Sequence, residues 1–118
     1  MKENVVRDKS FDFALRIIEL RKLLEEKREF VIARQIMRSG TSIGANIREA
    51  EYAVSKADFI NKLSIALKEA NETEYWLELL HHSKTIEDDL FVDYRDKLKE
   101  ILRLLISIIK TSKKSVRK

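Results

Sequence analysis

Glu78 and His81 stand three residues apart in Glu78-Leu-Leu-His81, the spacing at which one helix brings a carboxylate and an imidazole to the same metal ion. A dimetal bundle centre takes that pair from two helices and a glutamate from each of the other two, and the sequence has no second Glu-x-x-His. The pair is therefore read as a helix-end feature, with no metal expected. Ser39 and Ser42 lack the strand-turn-helix setting of a nucleophile elbow, and His81 and His82 are far from them along the chain. Gly40-Thr-Ser-Ile-Gly44 runs into Ala45-Asn46, without the Lys-Ser or Lys-Thr that a phosphate loop requires. No cysteine is present, which removes thiolate zinc sites, thiol nucleophiles and disulfides. Neither an enzyme nor a cofactor is expected.

The remaining polar candidates are suited to holding and binding. Asn46, Glu49, Glu69 and Glu72 are expected to form an interhelical polar network with Lys62 or Thr73 that fixes helix register, a ligand site being the alternative. Arg34 and Arg38 lie four apart, and Arg48 falls near the same angular sector, so the three can line a phosphate-contacting surface or a solvated face balanced by acids of a neighbouring helix. Lys110, Lys113, Lys114, Arg117 and Lys118 put five of the chain's 24 cations into its last nine residues, which contain none of its 20 acids. The net charge of +4 is therefore a property of this basic end, and the rest is close to neutral. Phosphate contact is expected for these cations, which have no acidic neighbours to pair with.

The elements that carry these residues follow from composition and periodicity. In 118 residues there are two glycines, no proline and 37% charged side chains, a composition for long helices in one all-α domain. Ser10 is expected to cap a first helix over about 11–27, with Phe13, Ile17, Leu20 and Leu24 on its apolar stripe. A second helix over about 31–54 places Ile32, Ile36, Ser39, Ile43, Ile47, Ala50 and Val54 on one face. Its small residues Ser39 to Ala45 imply close approach of another helix, which offsets the cost of about 1 kcal/mol for each helical glycine. Ser55 and Asp58 cap a third helix over about 56–82, and Thr85 precedes a fourth over about 87–110. Four such helices with short links form an antiparallel up-down-up-down bundle over 1–112, followed by a basic flexible tail at 113–118. No stretch approaches the 18 or so apolar residues of a membrane span, and Met1-Lys-Glu-Asn leads into charged sequence, so a cytoplasmic protein without membrane contact is expected.

The run Gln35-Ile-Met-Arg-Ser-Gly-Thr-Ser-Ile-Gly-Ala-Asn-Ile-Arg-Glu-Ala50, with Ala57-Asp-Phe-Ile60, Ala66-Leu-Lys-Glu-Ala70 and Glu72-Thr-Glu-Tyr-Trp-Leu77, resembles the 23S rRNA intervening-sequence proteins. Helices one and four fit that family in pattern and length. A related group is the accessory proteins of diversity-generating retroelements. The resemblance implies a four-helix bundle assembled as a ring-like homopentamer, with a basic surface that contacts nucleic acid. The family name records a genomic location rather than an activity. Two functions follow as expectations: a homo-oligomeric module that contacts RNA or DNA phosphates through its basic tail and Arg34, Arg38 and Arg48, or a scaffold ring that holds a protein partner. In the first, Tyr75 and Trp76 are packing or subunit-contact residues.

Overall fold

A computed structural model describes the backbone of residues 2–117 and the side chains of residues 5–115. It contains four helices, α1 (Lys2–Glu26), α2 (Phe30–Glu51), α3 (Lys56–His82) and α4 (Asp88–Arg117). Each helix packs on its sequence neighbours, and α4 closes the ring against α1. Ion pairs and close contacts fix the directions. Arg7 meets Glu51 and Gly40 meets Ile17 between α1 and α2; Lys62 meets Glu49 and Thr73 meets Ser39 between α2 and α3. Glu74 meets Lys99 and His81 meets Asp88 between α3 and α4, and Lys9 meets Glu100 and Arg16 meets Tyr94 between α1 and α4. In every pair one residue number rises as the other falls, so all four interfaces are antiparallel and the bundle is up-down-up-down. Its extents are 51 × 22 × 19 Å.

The core is a single apolar column built from period-3.6 stripes on each helix, with Phe13, Ile17, Ile36, Ile43, Leu63, Leu77, Leu98 and Ile101 fully enclosed. Gly40 shows why α2 is poor in bulk at its centre. A Cβ there would sit 2.8–3.0 Å from three carbons of Ile17, so only hydrogen lets α1 come this close. Gly44 also faces Ser10 of α1, but a Cβ there would make only an ordinary contact of 3.4 Å.

Ser10 does not cap α1. The helix begins at Lys2, and Ser10 is buried within it, its hydroxyl donating to the Arg7 carbonyl at 2.9 Å. The apolar stripe extends back through Ser10 to buried Val6, and the hydroxyl is tolerated there because its own helix satisfies it. Helix α2 ends at Glu51, and Val54, expected on its buried stripe, is 92% exposed in the following turn. Ser55 caps α3 as expected, accepting from the Asp58 amide at 3.0 Å while Asp58 accepts from the Val54 amide at 3.2 Å. Thr85 turns back to Ser83, 2.9 Å away, and α4 starts at Asp88.

Two turns lack the glycine that usually ends a helix. After α1 the Glu29 amide donates to Leu24 O and the Arg28 amide to Glu25 O, with Arg28 at φ 64°. After α3 the Thr85 amide donates to Leu80 O and the Lys84 amide to His81 O, with Lys84 at φ 62°. Both are Schellman closures with a left-handed basic residue where glycine is common, which leaves no turn signal in the sequence.

Candidate nucleic-acid interface

Beyond Glu100, α4 carries no acidic residue, and it holds Arg103, Lys110, Lys113, Lys114 and Arg117. The expected tail at 113–118 is, through Arg117, a continuation of α4 rather than a separate segment. Leu105, Ile108, Ile109 and Ser112 form the buried inner face of this stretch of α4. Arg103, Lys110 and Lys114 follow one another at spacings of seven and four, so they share the outer face over about 16 Å of axis. Arg103, Lys110, Lys113 and Lys114 are exposed and, among the described residues, have no carboxylate partner. The Arg117 side chain and Lys118 lie outside the described residues. Lysines at a helix C-terminus also complement its partial negative charge, which lets them remain near one another.

The three arginines of α2 are separated by their neighbours. Arg38 is spoken for: its guanidinium reaches Glu69 at 3.1 Å and also Glu72, with Gln35 at 3.4 Å. Glu72 in turn accepts from the Trp76 indole at 3.1 Å. Arg48 lies over the Phe11 ring, 5.8 Å from its centroid, on the α1 side of α2. Arg34 is exposed, has no ion-pair partner among the described residues, and lies near the opposite end of the bundle from the lysines of α4. The α2 arginines thus do not form one surface with the α4 cations.

The polar network between α2 and α3 is present with a different membership. Lys62 donates to Glu49 at 3.1 Å, and that bond, followed by the charge of Glu49, raises the Lys62 ammonium above its ordinary pKa. Glu69 and Glu72 hold Arg38 rather than Asn46 or Glu49. Asn46 donates within its own helix to the Ser42 carbonyl at 2.9 Å. The buried part of the network is one that the acids do not enter: Thr73 Oγ1 lies 2.9 Å from Ser39 Oγ and 2.8 Å from the Glu69 carbonyl oxygen. His81 pairs with Asp88 at 2.8 Å and stacks on Phe91 with ring centroids 4.1 Å apart, and Glu78 is not part of that contact. Among the described residues no three His, Cys, Asp or Glu side chains are placed to hold a metal ion. None of the described helices is long and apolar enough to cross a membrane.

Two apolar surfaces are exposed, one at Tyr75 and Trp76, expected as packing or subunit-contact residues, and one not anticipated between α1 and α2. Phe11, Leu15 and Ile18 of α1 and Thr41, Gly44 and Ala45 of α2 form a groove of about 330 Å³, with Phe11 and Leu15 half exposed. On the outer face of α3, Tyr75 and Leu79 are exposed beside Trp76. The sequence signal for the groove was a second apolar stripe on α1, Phe11, Leu15 and Ile18, offset from the core stripe.

No curated protein matches this chain. The crystal structure of a protein of unknown function of the S23 ribosomal protein family, from Bacteroides thetaiotaomicron VPI-5482, superposes with a TM-score of 0.91 at 63% identity, covering 93% of this chain and 99% of that one. The family described as 23S rRNA-intervening sequence protein matches residues 2–107, including the Gln35–Ala50 run and the helices that pack on it, and the chain belongs to that family.

Proposed function

We propose that this protein is a non-enzymatic, homo-oligomeric helical module that associates with nucleic acid through the phosphate backbone. The observation that carries the reading is the acid-free end of α4, where Arg103, Lys110, Lys113 and Lys114 are exposed with no carboxylate partner among the described residues. Cations of this kind bind by releasing counterions from phosphates, which confers affinity without base specificity. Arg48 and Arg34 are secondary contributors, and Arg38 is withdrawn from the set by Glu69 and Glu72. The groove between α1 and α2 and the Tyr75-Leu79 surface supply two different apolar patches on one chain. Joining unlike patches head to tail closes a ring when the rotation permits, consistent with a homopentamer. The same patches favour a second reading, a ring that holds a protein partner and makes no nucleic-acid contact.

A fluorescence-anisotropy titration against structured RNA, single-stranded RNA and duplex DNA over a salt series separates the two. With about three to five phosphates neutralised, log affinity is expected to fall with log salt at a slope of roughly −2 to −4, and to flatten in Lys110→Ala/Lys113→Ala/Lys114→Ala. Absence of binding by all three ligands at about 100 mM salt refutes direct nucleic-acid association and leaves the scaffold. Light scattering that returns a monomer removes the ring.

A further inference from the structure

At the end of the bundle where α4 finishes, the four helices enclose an open cavity of about 480 Å³, within the size range of small-molecule sites. Each helix contributes apolar wall: Val6 from α1, Ile47 from α2, Phe59 and Leu63 from α3, Ile108 from α4. Ser112 also lines it. That serine is only 7% exposed, and its hydroxyl has no hydrogen-bond partner among the described residues. The hydroxyl is open to the cavity, which is the direction from which a partner can arrive.

The rim is asymmetric in charge. Lys56, in the first turn of α3, has no carboxylate partner among the described residues; its ammonium lies 6.0 Å from the centroid of the Phe59 ring, which is itself cavity wall. Glu51, also on the rim, is held by Arg7 at 3.5 Å. Asp58, in the same first turn, is engaged by the Val54 amide and lies near Lys62. The uncompensated charge facing the opening is therefore positive, and the positive end of the α3 dipole adds to it.

We infer that this end cavity binds a small amphipathic anion, an apolar chain ending in one carboxylate, with the chain against Phe59, Leu63 and Ile108, the Ser112 hydroxyl bonded to the ligand, and the anionic head at Lys56. The site is independent of the phosphate contacts proposed for the outer face of α4. Octanoate is the probe, followed by isothermal titration and by backbone amide shifts of the full chain. Octanoate is expected to bind with a Kd below about 1 mM and to shift amides around Phe59, Leu63 and Ile108. Ser112→Leu, which fills the cavity and removes the unpaired hydroxyl, is expected to keep or raise the melting temperature and weaken binding at least about tenfold. Lys56→Gln is expected to weaken octanoate several-fold and to leave the neutral analogue 1-octanol unchanged. No binding at 5-fold above that Kd, shifts confined to other parts of the bundle, unaltered binding by a folded Ser112→Leu, or equal affinity for octanoate and 1-octanol each overturns the inference. Should Ser112→Leu fail to fold, the wild-type shift map and Lys56→Gln decide it.

Discussion

At the centre of the bundle Gly40 admits Ile17 so closely that a single added carbon would lie 2.8 Å away, whereas at the end of α4 the same helices separate around a cavity of about 480 Å³ and leave the Ser112 hydroxyl without a partner. The polar groups between α2 and α3 at the centre are answered: Thr73 faces both Ser39 and the Glu69 carbonyl, and Arg38 faces two glutamates. The terminal ones are not, since Lys56, Lys110, Lys113 and Lys114 have no acidic partner among the described residues. A polar residue that its own fold satisfies serves register and packing. One that the fold leaves unsatisfied is available to something else, and this separates the two regions more sharply than composition does.

The contrast is broken most severely at the centre. Ile17→Ala is expected to lower unfolding free energy by about 2–5 kcal/mol in urea denaturation, through lost burial and the cavity left behind. Gly40→Ala alone is expected to cost about 1–3 kcal/mol from overpacking, partly offset by about 1 kcal/mol of helix propensity. Introduced into Ile17→Ala, the same glycine replacement is expected to be neutral or stabilising, because the atoms it meets are gone. Additive losses would show that Gly40 is small for another reason.

Thr73→Val is the next largest, at about 1–3 kcal/mol, because it strands the Ser39 hydroxyl in the core. Ser39→Ala/Thr73→Val is expected to lie nearer the wild type than the two single losses predict, as read by a double-mutant cycle on the same denaturation curves.

Tyr94 tests the wall between α1 and α4. Its hydroxyl donates to the Arg16 carbonyl at 2.6 Å, and burial, opposed in part by the Arg16 charge, raises the phenol above its ordinary value of 10.0. A raised folded pKa means that the folded state holds the proton more tightly. The stabilisation is therefore complete below about pH 10 and is lost as pH climbs through the folded value. Tyr94→Phe is expected to lose about 1 kcal/mol at neutral pH and to show a shallower decline of melting temperature on the alkaline side. An unchanged alkaline slope would place that loss on other groups.

Smallest is the effect of the terminal lysines on stability. Lys110→Ala/Lys113→Ala/Lys114→Ala is expected to change unfolding free energy by no more than about 0.5 kcal/mol per site while altering the salt dependence of nucleic-acid binding. A larger loss in thermal denaturation would assign those lysines to the fold and dissolve the contrast drawn above.

Sequence periodicity was sufficient for the class of fold, for the α3 cap at Ser55 and Asp58, and for the meaning of the small residues around Gly40, because each depends on spacing along one helix. It misplaced the start of α1 because a serine before an apolar stripe reads as a cap, and only the facing Gly44 shows that Ser10 can be accommodated in the interior. Both glycine-free turns were hidden because left-handed Arg28 and Lys84 leave no local mark. Among the site residues, the basic character of the α4 end was legible as charge, and the pairing of Lys62 with Glu49 as complementary charge on adjacent helices. What the sequence determined alone was how many helices form, which stripe each buries and where cations accumulate, all consequences of a 3.6-residue period. Which cations meet a carboxylate, Arg38 but among the described residues not Lys110, and that the helix ends part around Ser112, was decided only by tertiary structure, because both depend on which side chain of a different helix arrives at the same height.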